Sequence, residues 1–274
     1  MRTLGVDLAA DPKKTAVAVI RWTGENAALT HLSLAVTDDE IVDLFGTTDV
    51  TGIDCPLGWP EALLPFLMGH QRNDPQAVLE QDGLAGRRNL AYRATDRFVT
   101  ATTGIRPLSV SADRLGYTAM RCAAIQAKIG QVHGIQSRDG AGKLAEVYPA
   151  ASLKLWGFRA TKYKGTGSAE TLARRELVEQ LKAEAPWLQL GAHEEKMVSS
   201  DDLLDAVIAS LTARAVSVAS TYGVDPALAN SARSEGWIHL PSGQLGDVFT
   251  AFQAPTAVVG LPATKTEGSV EARE

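Results

Sequence analysis

The sequence predicts an α/β protein: a mixed five-stranded sheet of order 3-2-1-4-5, flanked by helices, with a largely helical insertion after the fourth strand. Three observations lead there. The first 36 residues hold three β-rich runs separated by short polar turns. A short amphipathic segment then leads into a fourth, apolar run that ends in an acid. The chain has 274 residues, 45% of them hydrophobic and 22% charged, which is enough for one large domain with a substantial insertion.

The elements follow in order. Residues 3–9 form an apolar strand, and a turn around Asp11 and Pro12 leads to a second strand over 15–22. The turn at 24–26 starts a third strand over 28–36. Short polar connections of this kind join antiparallel neighbours. A helix over 38–45, capped by Thr37, precedes the strand 50–54. A helical crossover makes that strand parallel to the first. From Cys55 the alternating pattern stops. Residues 56–142 are expected to be the insertion: Pro56, Pro60, Pro65 and Pro75 open it as loop, and helices follow over 89–102 and 112–129, stopped by Gly104 and Gly130. A fifth strand at 144–148 stops at Pro149. Helices are expected over 150–155, 169–185 and 201–221, with a last strand within 236–240. One domain thus spans 1–261, and the polar stretch 262–274 is expected to be a disordered tail.

Charge narrows the function. A net charge of −5 and a pI of about 5.6 exclude a protein that coats nucleic acid by bulk charge, though a local basic groove remains open. Cys55 and Cys122 stand far apart in no metal-ligand spacing, as reduced thiols do. The start enters a strand at once, and no apolar run reaches membrane-spanning length. A cytoplasmic location and no membrane partner are expected, with the oligomeric state left open.

Four acids carry the chemistry. Asp7 and Asp54 close the first and fourth strands, and Asp202 and Asp205 lie one helical turn apart near the start of the helix from Asp201. A carboxylate inside an apolar strand is costly to bury unless a cation or hydrogen bonds compensate it. In the predicted sheet, strands one and four are neighbours at the point where the order reverses, and their carboxyl ends form the expected site. The plainer readings are a turn cap for Asp7, an Asx turn for Asp54, and helix-dipole compensation with Ser200 as N-cap for the helical acids. Asp205 lies beyond the first turn and beside the apolar stripe of Leu204, Val207, Ile208 and Leu211, so the dipole does not account for it. An all-carboxylate set selects Mg²⁺ or Mn²⁺ over zinc. The five histidines show no ligand spacing, and His193 is expected to be solvated. Basic residues form a second layer. Arg93, Asp96 and Arg97 share a helix face, so Arg93 or Arg97 could meet phosphate, or the three could form a solvated ion-pair face. Lys154, Arg159, Lys162 and Lys164 cluster before a glycine-rich helix start without forming a Walker pattern, and Lys164 is a further candidate for phosphate.

Five motifs in order resemble a known family: Gly5-Val6-Asp7-Leu8-Ala9, Ile53-Asp54-Cys55-Pro56-Leu57-Gly58, Arg93-Ala94-Thr95-Asp96, Glu146-Val147-Tyr148-Pro149 and Asp202-Leu203-Leu204-Asp205-Ala206. The chain resembles the domain-of-unknown-function family of predicted RNase H-like nucleases over roughly residues 2–215. The resemblance implies a ribonuclease H-like fold and a metal-dependent nuclease site built from Asp7, Asp54, Asp202 and Asp205. The paired acids of the last helix look similar to those of RuvC-like resolvases. Glu146 belongs to the family's own Glu-x-Tyr-Pro pattern and is either a further metal ligand, an orienter of Arg93, or a strand-end carboxylate bonded to backbone. Nucleic acid is then the expected partner.

Two competing readings stand beside this one. An actin-like ATP-dependent phosphotransferase needs glycines after the first strand, where this chain has Leu8-Ala9-Ala10-Asp11-Pro12. A non-catalytic binding or scaffold protein is favoured by the acidic pI.

Overall fold

The structure is a computed structural model that describes residues 1–250. The expected tail at 262–274 lies outside the described residues. Seven strands form one mixed sheet: β1 (Arg2–Asp7), β2 (Ala16–Trp22), β3 (Ala27–Leu34), β4 (Val50–Asp54), β5 (Leu144–Val147), β6 (Leu188–Gln189) and β7 (Ile238–His239). The spatial order is β6-β3-β2-β1-β4-β5-β7. The five inner strands keep the expected order 3-2-1-4-5, and two-residue strands extend the sheet at each edge, so it is not five-stranded. The first three strands are antiparallel, and β4 runs parallel to β1. The edge strand β6 escapes a sequence reading because two residues are too few to show a period.

The helices are α1 (Asp38–Thr47), α2 (Leu63–Gln71), α3 (Pro75–Leu79), α4 (Gly83–Ala91), α5 (Ala94–Thr103), α6 (Leu115–His133), α7 (Pro149–Leu155), α8 (Ser168–Glu184), α9 (Glu194–Ser199), α10 (Asp201–Ser217), α11 (Ala229–Glu235) and α12 (Asp247–Thr250). Thr37 caps α1 as expected, and a reciprocal bond from Glu40 completes a capping box. Between β4 and β5 the chain is helical, but the boundaries differ from expectation. Pro65 and Pro75 sit in the first turns of α2 and α3, where a missing N–H breaks no helical bond. The single helix expected over 89–102 is two, because the Asp96 carboxylate takes the Arg93 N–H and starts a new helix there. Gly130 is carried inside α6, which stops before Gly134 at φ +89°.

Residue parity along the strands sorts the two faces. Leu4, Val6, Val17, Val19 and Ile53 pack with Ile41, Val42 and Phe45 of α1 and with Ile125 and Ile129 of α6. Side chains as buried as Ile41 and Phe45 contribute roughly 2 kcal/mol each through removal from water. The opposite parity of β2, Ala16, Ala18, Ile20 and Trp22, packs with α7, α8 and α10. On β1 and β4 the residues facing α10 are small or polar: Thr3, Gly5 and Asp7, then Gly52 and Asp54. A Cβ on Gly5 would lie 2.0 Å from the Ala206 carbonyl oxygen, and one on Gly52 would lie 2.6 Å from that of Ala209. The two glycines are paired in register and let α10 rest directly on the sheet backbone. A buried hydroxyl pair, Thr3 and Ser210 at 2.8 Å, fastens the contact. The helix therefore runs antiparallel to β1, and its N-terminal turns overhang the carboxyl ends of β1 and β4.

Candidate metal centre

Those strand ends carry the acids. Asp7 and Asp54 are register partners on parallel neighbours, each the last residue of its strand. Asp205, in the second turn of α10, comes down from above. One carboxylate oxygen of each lies within 4.8 Å of the others. Asp7 and Asp54 accept no hydrogen bond from a side chain or backbone among the described residues, so neither is a turn cap. Asp205 is 1% exposed and takes two contacts: the Tyr163 hydroxyl donates to Oδ1 at 2.8 Å, and the Lys164 ammonium sits 2.6 Å from Oδ2.

Three crowded carboxylates with one cation between them are electrostatically unsatisfied. Burial, then the charges of Asp205 and Asp54, push Asp7 well above the usual carboxylate range. Burial pushes Asp54 up to about 7 against the pull of Lys164. Asp205 is raised by burial too, although Lys164 and Tyr163 oppose the shift. Burial disfavours the Lys164 ammonium, but Asp205 and Asp54 outweigh it and raise its pKa above the ordinary lysine value. Acids pushed up by burial and by one another favour a positive ion among them, and the triad could hold a metal ion.

The lysine is delivered by a loop clamped from behind. Arg174 of α8 is 1% exposed; its guanidinium donates to the carbonyls of Tyr163 at 2.6 Å and Gly165 at 2.7 Å. The Gly165 N–H donates to Asp201 at 3.2 Å, tying the same loop to the first turn of α10. Neither Tyr163 nor Arg174 was expected from the sequence. A tyrosine before a lysine and an arginine on an ordinary helix carry no spacing signal.

The remaining expected residues fall in three places. Asp202 is half-buried on the first turn of α10, outside the convergent three, although its charge bears on Asp7. Lys164 lies in the centre, ion-paired, while Lys154 and Arg159 stand away from it. Arg93 and Glu146 are a correction. Arg93 is 2% exposed and spends all its N–H groups: Nε and Nη2 on Asp96 at 3.2 and 2.9 Å, Nη1 and Nη2 on Glu146 at 2.8 and 2.7 Å, and Nη1 on the Glu235 carbonyl at 3.1 Å. It has no donor left for phosphate. Glu146 also accepts the Leu57 N–H at 3.0 Å, so both its oxygens are engaged and it stands outside the metal cluster. Of the three roles expected of Glu146, two are seen together: it pairs with Arg93 and accepts a backbone N–H. Arg97 is exposed and donates to Asn89 at 2.9 Å, away from the acids. His193 lies by the β6 edge, not at the site.

Asp7 and Asp54 form the floor of a cavity of about 540 Å³, walled by the loop before α6 and by the Lys164 loop. Fold and site together define a mixed α/β protein with a carboxylate centre that could hold a metal ion at the carboxyl rim of its sheet. The chain belongs to the family described as protein of unknown function, DUF429, whose model matches residues 5–227. A comparison with curated proteins found no match. Among the described residues, no helix is long and apolar enough to cross a membrane.

Proposed function

We propose that the chain is a Mg²⁺- or Mn²⁺-dependent phosphodiesterase acting on nucleic acid, built on a ribonuclease H-like fold. The observation that carries this reading is the meeting of Asp7, Asp54 and Asp205 from two adjacent strand ends and an overlying helix. The inner strand order supports the fold assignment. A divalent cation bound there would neutralise charge on a phosphoryl oxygen and acidify a water. The chain's own residues do the rest. Asp7, Asp54 and Asp205 hold the cation, Asp202 adds negative charge at the rim, Tyr163 orients Asp205, and Lys164 offers an ammonium to a phosphate oxygen. Arg93 and Glu146 act as positioning residues, holding Leu57 and the loop that follows Asp54.

The test is Mn²⁺-dependent hydrolysis of nucleic acid by the purified chain and by Asp7→Asn. Activity in the parent and its loss in a variant with an unchanged melting curve are expected; retained activity in the variant overturns the assignment. The net charge of −5 favours one competing reading, a metal-holding binding protein without turnover. Stabilisation by Mn²⁺ without hydrolysis of any phosphodiester would select it.

A further inference from the structure

Resting on that reading, we propose that the site takes one unstacked nucleotide unit, free or at the end of a strand, and excludes the interior of a duplex. A cavity opens over Asp7 and Asp54. At about 540 Å³ it falls in the range of small-molecule sites, roughly 300–1,000 Å³. Its lining includes Leu108 from the segment before α6, Leu115 at the start of α6, and Ala160 and Lys162 from the segment before α8. Tyr148 and Leu8 add flat and apolar surface close to the floor. A cavity of that size holds a ligand of small-molecule dimensions over Asp7 and Asp54, one nucleotide unit and not the stacked pairs on both sides of a duplex phosphate. Enzymes with recessed sites take a base out of its stack or act on ends and monomers.

The distribution of cations agrees. Tracking a long strand requires a line of lysines and arginines that neutralises successive phosphates. Here the unburied cations lining the cavity are Arg114, Lys162 and Lys164, within a chain of net charge −5. Arg114 and Lys162 are exposed and have no ion-pair partner among the described residues, so their charge is available at the mouth. Arg114 and Lys162, with Lys164 held at the acids, match one or two phosphates. The apolar lining residues Leu8, Leu108, Leu115 and Tyr148 match the base and sugar.

The experiment uses the full chain with Mn²⁺ and four probes: the p-nitrophenyl ester of thymidine 5′-monophosphate, an end-labelled single strand, the blunt duplex of that strand, and a covalently closed circular duplex. Release of nitrophenol with the closed circle intact is expected. Stepwise shortening of the labelled strand would identify a strand end as the source, and hydrolysis of the ester alone a free nucleotide. Cleavage of the closed circle overturns the inference and leaves the phosphodiesterase reading standing. Hydrolysis of none of the four overturns both. Two variants test the walls. Leu108→Trp, at a position 45% exposed, is expected to raise KM for the ester at least tenfold with the Mn²⁺-induced rise in Tm unchanged. Arg114→Ala is expected to weaken binding of thymidine 5′-monophosphate severalfold by calorimetry. Parent-like KM and binding in both variants would show that substrate does not enter this cavity.

Discussion

Replacing Gly5 by alanine tests the packing that creates the metal centre. The added Cβ would stand 2.0 Å from the Ala206 carbonyl oxygen and 2.3 Å from the Ser210 nitrogen, whereas ordinary contact begins near 3.4 Å. Relief takes a shift of up to about 1.4 Å, the difference between 3.4 and 2.0, and both neighbours are backbone, so no side chain can rotate away. Overpacking of a core costs about 1–3 kcal/mol, and a backbone contact belongs at the upper end. If α10 lifts, the Thr3–Ser210 bond is also lost, adding about 1 kcal/mol. A total of about 4 kcal/mol corresponds to a fall in Tm of roughly 8–16 °C for a domain of this size. The same shift carries Asp205 away from Asp7 and Asp54. Because Mg²⁺ ligands must lie at about 2.0–2.1 Å, a displacement near 1 Å removes one of them. The assay is thermal melting with and without Mn²⁺. Gly5→Ala is expected to melt lower and to lose most of the Mn²⁺-induced rise. Gly24→Ala, where a Cβ meets nothing within 4 Å, is the control and is expected to melt like the parent. A Gly5→Ala protein with parent-like Tm and metal response would refute the account of how α10 positions Asp205.

Three other outcomes follow from the charges. Asp54 titrates near 7 and Asp7 is raised as well, so between about pH 4 and 7 the folded chain holds protons that the unfolded chain has released; metal-free stability should fall as pH rises through that window. Asp54 alone contributes at most about 4 kcal/mol to the fall, for a shift from 3.8 to about 7, and Asp7 adds to it. Urea midpoints at pH 5 and pH 8 measure it, saturating Mg²⁺ should flatten it, and a flat metal-free profile would contradict it. Lys164→Met removes the cation from Asp205 and should lower metal-free Tm while enlarging the rise at a fixed Mn²⁺ concentration; an unchanged rise would show that the ammonium and the metal do not share the cluster. Arg93→Met leaves Asp96 and Glu146 buried without their partner and should cost about 3–5 kcal/mol in urea unfolding, whereas exposed Arg97→Ala should stay within about 0.5 kcal/mol. Equal effects of the two would show that the Arg93 network is not the anchor its geometry implies.

Local pattern alone determined much of this protein. Alternation in β1 to β3, the Thr37 cap and the helical crossover before β4 are short-range signals, and they place Asp7 beside Asp54 because parallel register follows from strand order. The apolar stripe of α10 likewise marked Asp205 as an acid that the helix dipole does not explain. Tertiary structure decided the rest, because the deciding contacts join residues far apart in the chain. Arg93 reads as a surface cation until Glu146, 53 positions on, claims its guanidinium. Glu146 reads as a ligand until that same pair occupies its oxygens. Lys164 and Tyr163 join the centre on a loop that Arg174 of α8 holds from behind and that Gly165 ties to Asp201 of α10. Which charges face one another is set by packing between distant segments, and no periodicity in a sequence encodes that.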